Sequence, residues 1–373
     1  MRFLFCCNTL HGFCNFRLDV VRHLVEKGNE ILIVYPHLDG DDLLIAGLPE
    51  GCSAVKCSMS PTGKNLFRDI KLFVELCKII KRHKPDIVFN YTIKPNIYGG
   101  LASAMIGVPS VAVVPGLGYS FTNRGVFCSL LRKFYVWSLK KASCVVTLNK
   151  SDQKALNKQG IEDVVLFDGG EGVNLERFSF SEGDFSSPRF LMVARLLYDK
   201  GYSEFVLAAK AVKATYPEVR FDIAGTLNES NPSGVPEYVV RDDEASGFIR
   251  YLGYVEDIGG QLSDPNTVVV LPSYYREGMN RSLMEACACG RPVITTNLPG
   301  LREIVEDGVN GFLVKPKDED ELTKTIVSFL QLPVDKRRQM GLESRKLAEN
   351  RFDVRRVISS YEAIIKKIIE DDV

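Results

Sequence analysis

The 373-residue chain has one tryptophan and four histidines. Its ten cysteines form no Cys-x-x-Cys pair, and no histidine is interleaved with them at zinc spacing. That argues against a structural zinc site and leaves the cysteines as reduced thiols, several of them (Cys6, Cys7, Cys144, Cys287) inside apolar runs. His11, His23, His37 and His83 lack ligand spacing as well. The acidic runs at 39–42 and 241–244 read as solvated turns, so no metal and no cofactor are expected. No apolar run reaches the ~18 residues a membrane span needs. Met1-Arg2 passes straight into FLFCC, too short for the apolar core of a signal peptide, and a cytoplasmic protein is expected. Gly-x-Gly-x-x-Gly is missing: NTLHGFCN (8–15) has one glycine and GLGYSF (116–121) lacks the third. With no Walker loop either, dinucleotide and P-loop readings are weak. There is no internal repeat, no low-complexity tract and no nucleic-acid module, so no nucleic-acid partner is expected.

What is present is an ordinary globular composition, 45% apolar and 25% charged, at a length that suits two domains. The net charge is zero but divided. Residues 1–170 hold 21 basic and 14 acidic groups, and the remainder holds 26 and 33. A basic front and an acidic back imply surfaces for different partners.

Short apolar runs alternate with stretches of helical period. Strands are expected at 2–7, 30–35, 86–90, 110–114, 144–148 and 163–167, with helices at 13–28, 64–84, 96–106, 124–141 and 151–159 between them. The rhythm breaks over 168–188. It restarts with strands at 189–195, 219–225, 248–253, 267–272, 292–296 and 311–314. This βαβ alternation predicts an α/β chain with two mostly parallel sheets. The expected domains are 1–170, 171–350 and a C-terminal helix, 351–373, that crosses back to the first.

Open α/β sheets bind ligands beyond the carboxyl ends of their strands. After RFLMVAR comes ARLLYDKG, with Arg195 at the strand end and Lys200 before a helix. Two cations beside a helix N-terminus suit a diphosphate, although alone they also read as solvated surface cations. After TVVVLPS comes YYREGMNRSLMEACACGRP (274–292). Asn280 is an N-cap candidate, and Glu285 then falls within about two turns of the helix start, where a carboxylate stays ionised and can accept from two ribose hydroxyls. Glu277 lies on the loop, one layer away, and the Gly278, Met279 and Asn280 amides are candidates for sugar or anion oxygens. By spacing alone, an acidic turn plus an ordinary helix glutamate explains this Glu-x₇-Glu pattern as well.

Taken together, Glu277-Gly278, Glu285-Ala286, GRPVI (290–294), GVNGFLV (308–314), GVNLERF (172–178), the Arg195/Lys200 loop and LGYV (252–255) resemble the retaining glycosyltransferases of family 4. The resemblance covers most of the chain and is strongest over 170–315. It implies a GT-B fold, two Rossmann-like domains facing a central cleft, with acceptor in the first and a nucleoside diphosphate sugar in the second. It implies that Glu285 holds the ribose, Arg195 and Lys200 the diphosphate, Glu277 with Gly278, Met279 and Asn280 the transferred sugar, and the backbone near Tyr254 and Val255 the base. Gly12, in the loop after the first strand, would let the first domain approach the phosphates. Arg195, Lys200 and Glu277 are the catalytic candidates. Asn174 stands where many relatives have Asp, and the loops 90–96 and 115–121 lack the first-domain histidine of many relatives. These loops resemble those of enzymes that build bacterial surface polysaccharides on lipid carriers. A uridine diphosphate hexose or N-acetylhexosamine donor and an undecaprenyl-diphosphate-linked acceptor follow as expectations. A GT-B UDP-sugar epimerase and a non-catalytic nucleotide-sugar-binding partner are the alternatives.

The segment 124–141 has five cations and no acid, and 64–84 is likewise basic and amphipathic. Both read as surfaces for an anionic membrane, which makes the protein peripheral to the inner face of the cytoplasmic membrane. Both also read as Rossmann helices with core-facing apolar sides, and a buried Trp137 is the default.

Overall fold

The computed structural model describes residues 1–38, 40–60, 65–117, 121, 125–275 and 278–371. The chain forms two compact units. The first runs from Met1 to Gly172 and takes in the chain from Val354 onward, and the second is Val173–Asp353.

The first unit is built on a parallel sheet ordered β3-β2-β1-β4-β5-β6-β7. Its strands are β1 (Arg2–Cys6), β2 (Glu30–Pro36), β3 (Cys52–Cys57), β4 (Ile87–Tyr91), β5 (Ser110–Val114), β6 (Cys144–Thr147) and β7 (Val165–Leu166). β1, β4 and β5 consist almost wholly of buried residues, as strands covered on both faces must. Each fully buried Leu, Ile, Val or Phe contributes roughly 1.5–3 kcal/mol. β3 was not expected. It is an edge strand with no fully buried residue, Ser53 and Lys56 being exposed, and CSAVKC lacks the apolar run that marks its neighbours.

The first helix, Leu10–Glu26, starts earlier than its apolar period suggests. Thr9 caps it, accepting from the Gly12 N–H at 3.1 Å. Gly12 therefore sits in a helical turn and not in the loop where it was expected. A side chain there would press on the Thr9 hydroxyl.

The C-terminal helix, Val354–Asp371, packs on this first helix. Arg17 Nη2 meets Glu171 Oε1 at 2.6 Å, both buried, with the guanidinium 3.8 Å from the Tyr91 ring centre. The Tyr91 hydroxyl bonds that of Tyr361 at 2.8 Å. One polar network thus joins the first helix, the central strand, the Gly-rich segment and the last helix.

Helices Leu66–His83 and Val126–Leu139 both pack against the segment that follows β4, the π-turn Pro95–Gly99 and helix Gly100–Ile106. Each leaves apolar residues in water. Leu66, Phe67, Ile70 and Val74 are exposed on one, and Leu130, Phe134 and Trp137 on the other, with Met105 exposed on the helix between. Trp137 is 48% exposed, contrary to the default, and stacks on Phe134 at 5.7 Å. Among the described residues no helix is long and apolar enough to cross a membrane.

The second unit carries a parallel sheet ordered β10-β9-β8-β11-β12-β13. Its strands are β8 (Arg189–Val193), β9 (Arg220–Ala224), β10 (Arg250–Tyr251), β11 (Thr267–Leu271), β12 (Val293–Thr296) and β13 (Gly311–Val314). Asp222 and Arg189 form a buried pair at 2.9 Å across β8 and β9.

Candidate functional site

In the second sheet β8 lies between β9 and β11, so the strand order reverses there. Crossovers leave in opposite directions from such a point, and the loops after the two strands part to leave a crevice at their carboxyl ends. The loop after β8 carries Arg195 and Lys200, and the loop after β11 leads to Asn280 and Glu285.

The two loops are laced together. The amides of Tyr274 and Tyr275 donate to Asp199 O at 2.9 and 3.0 Å, and the Ser273 hydroxyl donates to the same oxygen at 3.2 Å. Gly201 sits at φ +85°, and a Cβ there would lie 2.3 Å from Pro272 O, so only glycine allows this approach. Lys200 is 8% exposed, with Nζ 5.5 Å from the Tyr275 ring centre, while Arg195 is exposed.

Asn280 caps helix Arg281–Ala288, its Oδ1 accepting from Leu283 N–H at 3.2 Å. The Ser282 hydroxyl donates to Val193 O at 3.0 Å, pinning the helix start to the end of β8. Gly278 and Met279 lead into the cap, with Met279 buried. Glu285 is also buried and meets Arg281 at 2.8 Å. Burial pushes its pKa up from the ordinary carboxylate value, against the pull of Arg281 and Arg177. The carboxylate is therefore desolvated and paired, and burial works against the ionised state that its place near the helix start had suggested. Arg281, one turn ahead, was missed, although the i,i+4 spacing signals it. Glu277 lies outside the described residues.

Tyr254 and Val255 follow β10, where Gly225 N–H donates to Gly253 O at 2.8 Å and Leu252 N–H to Ile223 O at 2.8 Å. Tyr254 is 60% exposed, a flat surface at the carboxyl side of the sheet. Asn174 has a local task, accepting from the amides of Glu176 and Arg177 at 3.0 Å each. The second unit thus brings Arg195, Lys200, Tyr254, Val255, Gly278, Met279, Asn280 and Glu285 to the carboxyl ends of its own strands. Gly12 belongs to the first unit.

The arrangement sets one exposed and one buried cation and a buried acid on the loops and helix that follow β8 and β11. Comparison with known proteins gives the family. Residues 16–169 match the Glycosyltransferase Family 4 model and residues 177–347 the Glycosyl transferases group 1 model. The chain is 25% identical to N,N'-diacetylbacillosaminyl-diphospho-undecaprenol alpha-1,3-N-acetylgalactosaminyltransferase of Campylobacter jejuni, over 99% of this chain and 100% of that one. It is 28% identical to UDP-Gal:alpha-D-GlcNAc-diphosphoundecaprenol alpha-1,3-galactosyltransferase of Escherichia coli, over 70% and 71%. In fold it resembles sucrose-phosphate synthase of Thermosynechococcus elongatus, with a TM-score of 0.84, 16% identity and full coverage of both chains. It also resembles HepE of Anabaena in complex with UDP, with a TM-score of 0.80, 19% identity, and 98% and 100% coverage. The chain belongs to the glycosyltransferases of the GT-B fold, with a family 4 domain in its first unit and a group 1 domain in its second.

Proposed function

We propose that this glycosyltransferase moves a hexose or N-acetylhexosamine from a uridine diphosphate sugar to an undecaprenyl-diphosphate-linked sugar, with retention of configuration, in the assembly of a surface glycan. The observation that carries the reading is the joining of the Arg195/Lys200 loop and the Glu285 helix at the β8/β11 reversal. The names of the relatives from C. jejuni and E. coli support the lipid-linked acceptor.

On this reading Glu285 receives the ribose hydroxyls, and the backbone near Tyr254 and Val255 receives the base. Arg195 and Lys200 meet the diphosphate. As the sugar departs, negative charge grows on the β-phosphate, and two preplaced cations stabilise it. Electrostatic stabilisation of this kind usually dominates such transfers. The departing phosphate oxygen takes the proton of the incoming hydroxyl on the same sugar face. Glu277, with the Gly278, Met279 and Asn280 amides, orients the transferred sugar. No metal is required in this scheme.

The lipid keeps the acceptor in the bilayer, so the protein must approach it. The apolar residues exposed on Leu66–His83 and Val126–Leu139, together with Arg68, Lys71, Arg132, Lys133, Lys140 and Lys141, form the face that meets an anionic membrane from its cytoplasmic side.

The test is a thermal-shift screen of nucleotides followed by transfer assays. A ligand at ~100 Kd stabilises by about 2.7 kcal/mol. Stabilisation by UDP and transfer to a lipid-diphosphate sugar are expected. Stabilisation by guanosine and not uridine diphosphates overturns the donor, and transfer only to soluble sugars overturns the acceptor.

A further inference from the structure

The first sheet has a reversal of its own. β1 lies between β2 and β4, so the crevice at the carboxyl ends falls beside the loops after β1 and β4. The donor chemistry draws no residue from the end of β4 or the loop after it, and this stretch is irregular three times over. Asn90 is fully buried, and neither side-chain polar atom has a partner among the described residues. Thr92 takes φ +71°, which for a β-branched residue is a genuine outlier. A π-turn, Pro95–Gly99, follows at once, opened by the Asn96 N–H donating to Thr92 O at 3.0 Å. Strained residues and π-turns gather where a structure holds a ligand. A strained strand-to-helix turn is also a known way of lifting a hydroxyl to the top of a sheet.

A charged pair sits beside this turn. Lys94 Nζ meets Asp69 Oδ1 at 2.7 Å, with the two side chains 17% and 14% exposed. Asp69 lies in the first turn of Leu66–His83, which follows β3 and so starts on the carboxyl side of the same sheet. The pair is partly open and keeps unused capacity. Asp69 also accepts a hydrogen bond from Tyr98, but an ammonium carries three donors and a carboxylate about four acceptor sites, more than these two contacts consume. Such a pair can give to one hydroxyl and take from the next, which is how a sugar ring is held. On the same helix turn Phe67 is 85% exposed, Leu66 68% and Ile70 53%, with Arg68 exposed among them.

We propose that the end of β4 is the acceptor-sugar site, with Thr92 and the Lys94–Asp69 pair binding the sugar hydroxyls. Arg68 meets the diphosphate, and Leu66, Phe67 and Ile70 receive the first segment of the lipid. The polar, anionic and apolar parts of one amphiphile thus find their counterparts within one helix turn and one loop. The inference rests on the lipid-linked acceptor proposed for this enzyme.

The test uses an alkyl-diphospho-N-acetylglucosamine as acceptor probe, with UDP-N-acetylgalactosamine and UDP-galactose as donors. UDP affinity is measured separately. Asp69→Asn, Lys94→Gln and Thr92→Gly should each raise the probe KM about tenfold, the scale of one charged hydrogen bond, with UDP affinity unchanged. Lys94→Arg should recover part of the loss. Thr92→Gly is the discriminating variant, because glycine adopts the left-handed turn without strain. A purely structural Thr92 predicts higher thermal stability and an unchanged KM, and that result overturns the proposal. A probe KM equal to wild type in all three variants also overturns it while leaving the glycosyltransferase reading intact. If the wild type fails to bind UDP, the donor reading falls. The site is then judged by saturation-transfer NMR of the probe alone, where binding lost in the variants supports it and no binding by wild type removes it.

Discussion

Arg281 Nε donates to Glu285 Oε1 across 2.8 Å, one helical turn apart, with each side chain 11% exposed. The acid proposed to hold the ribose is thus already claimed, and a nucleotide must share it with Arg281. Burial raises the Glu285 pKa, and Arg281 is first among the groups that oppose the rise.

The pH dependence follows from that sign. Ribose hydroxyls donate to the ionised acid, so UDP affinity should fall on acidification, beginning above the range of an ordinary carboxyl. Arg281→Gln removes the opposing cation, and the fall should start at higher pH still. Glu285→Gln should bind weakly with a flat profile. Calorimetric UDP titrations from about pH 5 to about pH 8 read all three. The folded-state pKa lies above the unfolded one, so Glu285 also withdraws stability as pH rises between the two values. Glu285→Gln should flatten that part of the stability profile. An Arg281→Gln profile identical to wild type would separate the pair from the ligand.

Arg195 and Lys200 differ in burial, and their variants should differ accordingly. Arg195→Ala and Lys200→Ala should each lower turnover by roughly 10²-fold or more. Arg195 is exposed, so its loss should leave the melting temperature alone. Lys200 is buried against Tyr275, and its truncation should also cost about 1 kcal/mol. Near-wild-type rates in both variants would dismiss the diphosphate assignment.

The Arg17–Glu171 pair is a stability element. Its two charges are desolvated together, so Glu171→Ala strands a buried guanidinium and should cost about 3–5 kcal/mol in urea unfolding. A loss under about 1 kcal/mol would mean that water reaches Arg17 once the acid is gone.

The single tryptophan is a built-in reporter. Trp137 is half exposed, with Lys141 Nζ 6.0 Å from its ring centre. Its emission should shift to the blue on anionic vesicles at low salt. The shift should fade as the Debye length shrinks from ~30 Å at 0.01 M to ~8 Å at 0.15 M. Replacing Arg132, Lys133, Lys140 and Lys141 with Gln should weaken binding without changing UDP affinity. Emission indifferent to vesicles, or to this replacement, would take the helix off the membrane.

The fold was legible where burial is two-sided. SVAVV was readable to the residue because central parallel strands are continuous apolar runs. β3 was not, since an edge strand answers to water on one side. The start of the first helix was lost because its signal is a hydroxyl at Thr9, and the apolar period begins later. In the site, Asn280 could be read as a cap from its place before a periodic run. The Lys94–Asp69 and Arg17–Glu171 contacts span 25 and 154 residues, and no local pattern encodes them.

Tyr91 and Tyr361 meet at the centre of the first unit, 270 residues apart. Ribosomal synthesis delivers them roughly tens of seconds apart, at ~5–20 residues per second. The second unit, a single uninterrupted stretch of chain, is synthesised to its last residue, Asp353, before Tyr361 is made. Although translated first, the amino-terminal unit is therefore completed last, and until the final helix emerges its Arg17 network and apolar helix faces are exposed to chaperones and to aggregation.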